Sequence, residues 1–143
     1  MAVNIVLPDA LGTPVNHTFI PIGPDPKAVF WFEDQSAVSA NGNWRISVQL
    51  RRPAQAQAGV SSSGRINRAS IILHEPVLET LGTSTVSGIP AAPTVAYIPR
   101  SFMEFVLPER ATLQNRKDLR KMAALLLAET QMIALLENLV TPY

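Results

Sequence analysis

Trp44-Arg45-Ile46-Ser47-Val48-Gln49-Leu50-Arg51 decides the fold, because every second residue in it is apolar. A period of two belongs to a β-strand with one covered and one open face. It places Trp44, Ile46, Val48 and Leu50 on the inner side and Arg45, Ser47, Gln49 and Arg51 on the outer side. Pro53 ends the run. Asn41-Gly42 ahead of it is a strong hairpin-turn signal. Before that turn, Ala28-Val29-Phe30-Trp31-Phe32 reads as the preceding strand, closed by Glu33-Asp34. Those two carboxylates sit where a strand ends, and solvation suffices to explain them.

Downstream, residues 54–64 (AQAQAGVSSSG) are small and polar and predict a flexible hairpin loop. Arg65 to Pro76 resumes as a strand, with Ala69, Ile71 and Leu73 inward and Arg68, Ser70, Ile72 and His74 outward. Residues 80–94 carry Gly82, Gly88, Pro90 and Pro93 among serines and threonines and predict a second long loop. Tyr97 to Leu107 is the last strand, with Pro99 near its start and Pro108 closing it. Upstream, Pro8, Pro14, Pro21, Pro24 and Pro26 argue against helix. Val3–Leu7 and Asn16–Ile20 read there as an N-terminal β-hairpin within residues 1–27. After Pro108 no proline or glycine occurs between Glu109 and Thr141. Thr112 is a plausible N-cap, and Leu119, Met122, Ala123 and Leu126 recur at helical spacing. Ile133, Leu136, Leu139 and Val140 continue the apolar face. The pattern predicts helices over 112–128 and 131–140. Strands first and helices last describe an α+β fold. It comprises a hairpin (1–27), an antiparallel sheet with loops (28–108) and a helical C-terminus (109–143), in a single domain over 1–143.

A chain of 143 residues, 47% hydrophobic, is long enough for one packed domain and too short for two. The longest clean apolar run, Met122 to Ala128, falls far short of the ~20 residues of a membrane span, so no membrane partner is expected. No secretory signal is visible at the start. With no cysteine, disulfides, thiolate nucleophiles and cysteine-bound metals are out of reach. The net charge is only +1, yet its distribution is uneven. Between Asp34 and Glu75 stand Arg45, Arg51, Arg52, Arg65 and Arg68 and no acidic residue. Such a stretch reads either as a surface for a polyanion or as arginines pairing carboxylates elsewhere.

Catalysis needs converging reactive groups. His17 and His74, the only histidines, lie in separate strands without acidic neighbours at ligand spacing, and no hydrolase, metalloprotease or nucleotide-binding motif is present. No catalytic constellation, metal site or cofactor is implied. The outer strand faces are more informative. Arg45, Arg51 and Arg68 offer charge for phosphates, and Ser47, Gln49 and Ser70 offer short hydrogen-bonding groups for base edges. Phe102 supplies an aromatic. Single-stranded or looped RNA is read this way.

The order of elements, together with Trp44–Arg51, Arg100-Ser101-Phe102 and the terminal Leu135-Leu136-Glu137-Asn138-Leu139-Val140-Thr141-Pro142-Tyr143, resembles the coat proteins of single-stranded RNA bacteriophages, the levivirus-type family. The resemblance implies five-stranded antiparallel sheets that join edge to edge in an intertwined homodimer with a continuous ten-stranded sheet, each subunit's helices clasping the partner. Dimers would assemble through the 80–94 loop into an icosahedral shell around genomic RNA. The virion, a maturation protein within it and the host cytoplasm during assembly complete the implied setting. Carried over by position, the RNA face comprises Arg45, Ser47, Gln49, Arg51, Ser70 and Phe102, with Phe102 in the place of a base-stacking tyrosine. Glu104 falls where the family commonly has an amide-type residue, and Ile72 stands where it has a basic one. Arg68 compensates. These departures favour packaging through nonspecific charge over a translational-repressor hairpin. The alternative is a small cytoplasmic dimeric RNA-binding module that forms no shells. An enzyme built on His74, Glu75 and the arginines is third.

Overall fold

The computed structural model describes residues 3–79 and 92–141. Eight strands precede two helices: β1 (Ile5–Pro8), β2 (Asn16–Pro24), β3 (Phe30–Asp34), β4 (Trp44–Arg51), β5 (Ile66–His74), β6 (Val77–Leu78), β7 (Val95–Tyr97), β8 (Arg100–Pro108), α1 (Leu113–Leu127) and α2 (Thr130–Glu137). Six strands form one sheet in the order β1-β2-β3-β4-β5-β8, and β6 and β7 form a two-stranded ribbon. The fold is α+β, as the sequence predicts. Contacts divide the chain into a sheet unit (Met1–Arg52 and Asn67–Val106) and a smaller unit (Pro53–Ile66 and Leu107–Tyr143).

The N-terminal hairpin is continuous with the sheet. The first half of β2 pairs with β1 and the second half with β3, and the two ladders overlap only at Phe19. That overlap residue is the largest fully buried side chain of the described residues, at 1% exposure. Pro21 and Pro24 stand in the second half of β2, where β3 is its only neighbour, so a missing N–H breaks no further ladder. Asp9 holds the hairpin loop by accepting the N–H groups of Leu11 and Val15 at 3.2 and 2.9 Å. Asp25 does the same for the next turn, accepting from Lys27 and Val29 and, at 3.3 Å, from Trp31 Nε1.

Cross-strand registers confirm the faces read from β4. Ile46 lies opposite Phe32 and Leu73, Val48 opposite Phe30 and Ile71, and Leu50 opposite Ala69. Phe19, Phe32 and Ile46 form the buried cluster, with Ile5, Trp44, Val48, Ile71 and Leu73 packed against it.

Three expectations change in detail. Asn41-Gly42 makes no two-residue hairpin turn; Ala40–Gly42 is a short 3₁₀ turn within the longer connection from β3 to β4. Gly42 is needed there for space, since a Cβ would stand 2.9 Å from Leu78 Cδ1. Second, the last strand is interrupted. Pro99 separates β7 from β8, and its carbonyl accepts the Glu75 N–H at 3.1 Å. Third, β6 and β7 pair across the base of the predicted 80–94 loop, with Glu79 N donating to Thr94 O at 2.9 Å. The rest of that loop, through residue 91, lies outside the described residues.

In the smaller unit, Arg65 clamps the start of the helical segment to the 54–64 loop. Its Nε pairs with the Glu109 carboxylate, its Nη1 donates to Ala54 O at 2.6 Å, and its carbonyl accepts the Glu109 N–H at 2.9 Å. Thr112 is the N-cap of α1, its hydroxyl accepting the Asn115 N–H at 3.1 Å. α1 lies just inside its predicted bounds, while α2 begins one residue before its predicted start, at Thr130, and ends early, at Glu137; the two helices are separated by Ala128–Glu129. No residue of α1 or α2 is buried. Neither helix is long and apolar enough to cross a membrane.

Candidate nucleic-acid interface

The outer sheet face is built by β3, β4, β5 and β8. Register places Glu33, Arg45 and His74 in one cross-strand row, Trp31, Ser47 and Ile72 in the next, then Gln49 with Ser70, and Arg51 with Arg68. Arg68 Nη1 lies 3.4 Å from Glu104 Oε2. By alternation, that contact brings Arg100, Phe102 and Glu104 of β8 to the same side. Phe102 is 69% exposed.

The arginines divide into paired and unpaired. Arg45 Nε donates to Glu33 Oε2 at 2.7 Å, and Glu33 is 7% exposed. Asn43, also buried, donates to the other Glu33 oxygen at 3.0 Å. The carboxylate expected to be solvated at a strand end is therefore enclosed and neutralised. Asp34 is likewise buried, at 5%. Arg65 belongs to the clamp described above. Arg51 and Arg52 have no ion-pair partner among the described residues. Arg51 Nε donates to Gln49 Oε1 at 2.8 Å, while Gln49 Nε2 donates to the Lys27 carbonyl at 2.9 Å. Thus Gln49 holds Arg51 rather than pointing a free amide outward.

A hollow of about 260 Å³ opens on this face, lined by Val29, Trp31, Ser47, Gln49, Arg51, Ser70, Ile72 and His74. It brings together Ser47, Gln49, Arg51 and Ser70 of the predicted set. Arg45, Arg68, Phe102 and Glu104 lie on the same face outside its lining. Ser47 is buried beneath its neighbours, at 4% exposure. Trp31 is the residue the sequence reading missed. The signal was present, since Phe30 and Phe32 share one face of their strand and period two sends Trp31 to the other. Its ring lies 5.6 Å from that of His74, tilted by 36°. Burial, and then the charges of Arg100 and Arg45, lower the His74 pKa below its usual 6.5, so the imidazole is neutral at neutral pH.

On the inner face His17 does have acidic neighbours, supplied by the fold. Its Nδ1 lies 2.6 Å from Asp34 Oδ2 and its Nε2 3.6 Å from Asp9 Oδ2, and its ring stacks on Trp44 at 4.4 Å. Ser36 donates to the same Asp34 oxygen at 2.8 Å. Burial alone would raise the Asp34 carboxyl; the hydrogen bonds from His17 and from the Ser36 side chain and backbone outweigh it and hold it below 3.8. This cluster ties the hairpin to β3 and β4 and offers no open reactive group.

An antiparallel sheet with one apolar and one arginine-bearing face, followed by two helices with no buried residue, defines a sheet scaffold without a catalytic centre among the described residues. The chain belongs to the levivirus coat protein family, whose sequence profile matches residues 1–143. It is similar to the coat protein in a virus-like particle of bacteriophage ESE058, at 54% identity over 100% of this chain and 99% of that one, with a TM-score of 0.92. A virus-like particle of bacteriophage NT-214 shares 26% identity over 99% of this chain and 98% of that one, with a TM-score of 0.80. The capsid protein of bacteriophage GA, at 19% identity, 98% and 95% coverage and a TM-score of 0.67, shares the fold. No curated protein sequence matches the chain. Family membership makes this a capsid protein, a structural component of a virion and not an enzyme.

Proposed function

We propose that the chain forms an intertwined homodimer, that dimers assemble into an icosahedral shell, and that the arginine-bearing face packages single-stranded RNA. The observation that carries the RNA reading is Arg51 directly opposite Arg68 on adjacent strands. Like charges in that position destabilise a sheet unless an anion lies over them. Arg68 has only a half-exposed pair with Glu104, and Arg51 has no carboxylate partner among the described residues. A phosphate backbone supplies the missing anion.

The dimer reading is supported by the helices. Leu119, Met122, Leu125 and Leu126 of α1 and Leu136 of α2 are 44–68% exposed in the single chain. An apolar stripe of that size is covered in a stable protein, and a second copy clasped by the same helices covers it. At the end of the sheet β8 has one neighbour, β5, so its open edge can pair with the same edge of a partner. The relatives form virus-like particles, which supports the shell. The 80–94 segment serves assembly, and the virion takes shape in the host cytoplasm with a maturation protein added. Glu33 and Glu104 on the RNA face reduce its net charge and favour packaging over a specific repressor hairpin.

RNA retained by purified particles tests the packaging role. Arg51→Ala should lower the slope of log affinity against log salt by about 0.7, the loss of one contact to single-stranded RNA. An unchanged slope in both Arg51→Ala and Arg68→Ala would contradict a phosphate-binding face.

A further inference from the structure

Trp31 is a wall of more than one hollow. Beside the hollow over Ser47 and Ser70 lies another of about 280 Å³, lined by Trp31, Asn41, Asn43, Arg45 and His74 and closed by Pro76, Val95 and Ile98. We infer that this neighbouring hollow is a second binding site for an unpaired RNA base, with Trp31 as its stacking wall. The inference rests on the RNA-packaging reading and adds a base site away from the Ser47–Ser70 hollow.

Size, polarity and charge agree with that occupant. A hollow just under ~300 Å³ suits a small planar ligand, and the indole offers a π-face on which any base stacks. Nε2 of His74 is shielded from solvent and has no hydrogen-bond partner among the described residues. His74 lines both hollows, so its ring stands between the two. Asn41 spends one amide hydrogen on the Pro93 carbonyl, at 3.3 Å, and keeps its carbonyl oxygen and second hydrogen. Arg45 is held by Glu33 through Nε alone, which leaves its two terminal nitrogens for the phosphate attached to the base. Glu33 thus acts as a positioning residue for the Arg45 guanidinium.

The chain has two tryptophans, and Trp44 stacks on His17 at the inner face, so fluorescence separates them. The full-length protein, freed of nucleic acid, would be titrated with an adenylate hexanucleotide and, separately, with polyphosphate as a polyanion without bases. Quenching by the hexanucleotide alone, largely lost in Trp31→Phe, is expected. Asn41→Leu, which alters only the second hollow, should weaken hexanucleotide binding about two- to tenfold. Ala40 also lines this hollow, and Ala40→Phe, which removes no side-chain hydrogen bond and fills the same space, should do likewise if Asn41→Leu folds poorly. Ser70→Leu should weaken binding independently. Full affinity and quenching in both Asn41→Leu and Ala40→Phe, with loss in Ser70→Leu, would overturn the second site and leave the RNA face standing. Hexanucleotide affinity no greater than that of polyphosphate, with no quenching, would overturn any base site. Failure to bind either probe would overturn the RNA reading itself.

Discussion

Glu33 shows how single residues set the character of the proposed RNA face. It is enclosed, it neutralises Arg45 and it accepts from Asn43, which is itself buried. Glu33→Ala would leave the Asn43 amide without that acceptor and should lower stability by about 1–3 kcal/mol, read from the urea midpoint. The milder Glu33→Gln keeps an acceptor and removes the charge. It should raise RNA retention at high salt, because Arg45 is then uncompensated. Asp34 governs the acid limit. Its folded-state pKa lies below the ordinary 3.8, so its stabilising contribution is present above that value and is lost as pH falls through the folded-state pKa. Unfolding midpoints should therefore drop below about pH 4, and Asp34→Asn should flatten that part of the profile. These partnerships were hidden in the sequence for one reason. Period two assigns a residue to a face, but it does not say which carboxylate from another strand arrives beside it. His17 with Asp34 and Arg45 with Glu33 are both contacts of register.

Individual elements were more legible. The alternation in β4 gave both faces, and the parity of β5 followed despite Ile72, because its register with β4 holds from Arg68 to His74. Thr112 was visible as a cap and behaves as one; Thr112→Ala should cost about 1 kcal/mol of stability, measured as a lowered thermal midpoint at fixed protein concentration. The 40–43 turn was misread because Asn-Gly is a conformational signal, whereas Gly42 answers to packing. Gly42→Ala would press a methyl against Leu78 and should destabilise by about 1–3 kcal/mol in the same assay. The β6–β7 ribbon left no pattern because strands of two and three residues are too short to show a period.

At the scale of the whole molecule, the described residues leave both helices without a buried residue. Leu126 is 55% exposed in the single chain, and the proposed clasped dimer would cover it. Leu126→Asp should therefore abolish the dimer, read by sedimentation, where a surface position would tolerate the change. Hydrophobic spacing made this stripe visible; the proposed partner copy came only through the family resemblance, because no residue pattern names a second copy. The most direct measurement is electron microscopy of the chain expressed alone in bacteria, with nuclease-protected nucleic acid assayed on the same fractions. Uniform round particles containing protected RNA are expected. Discrete dimers that form no particles at any concentration would contradict the shell.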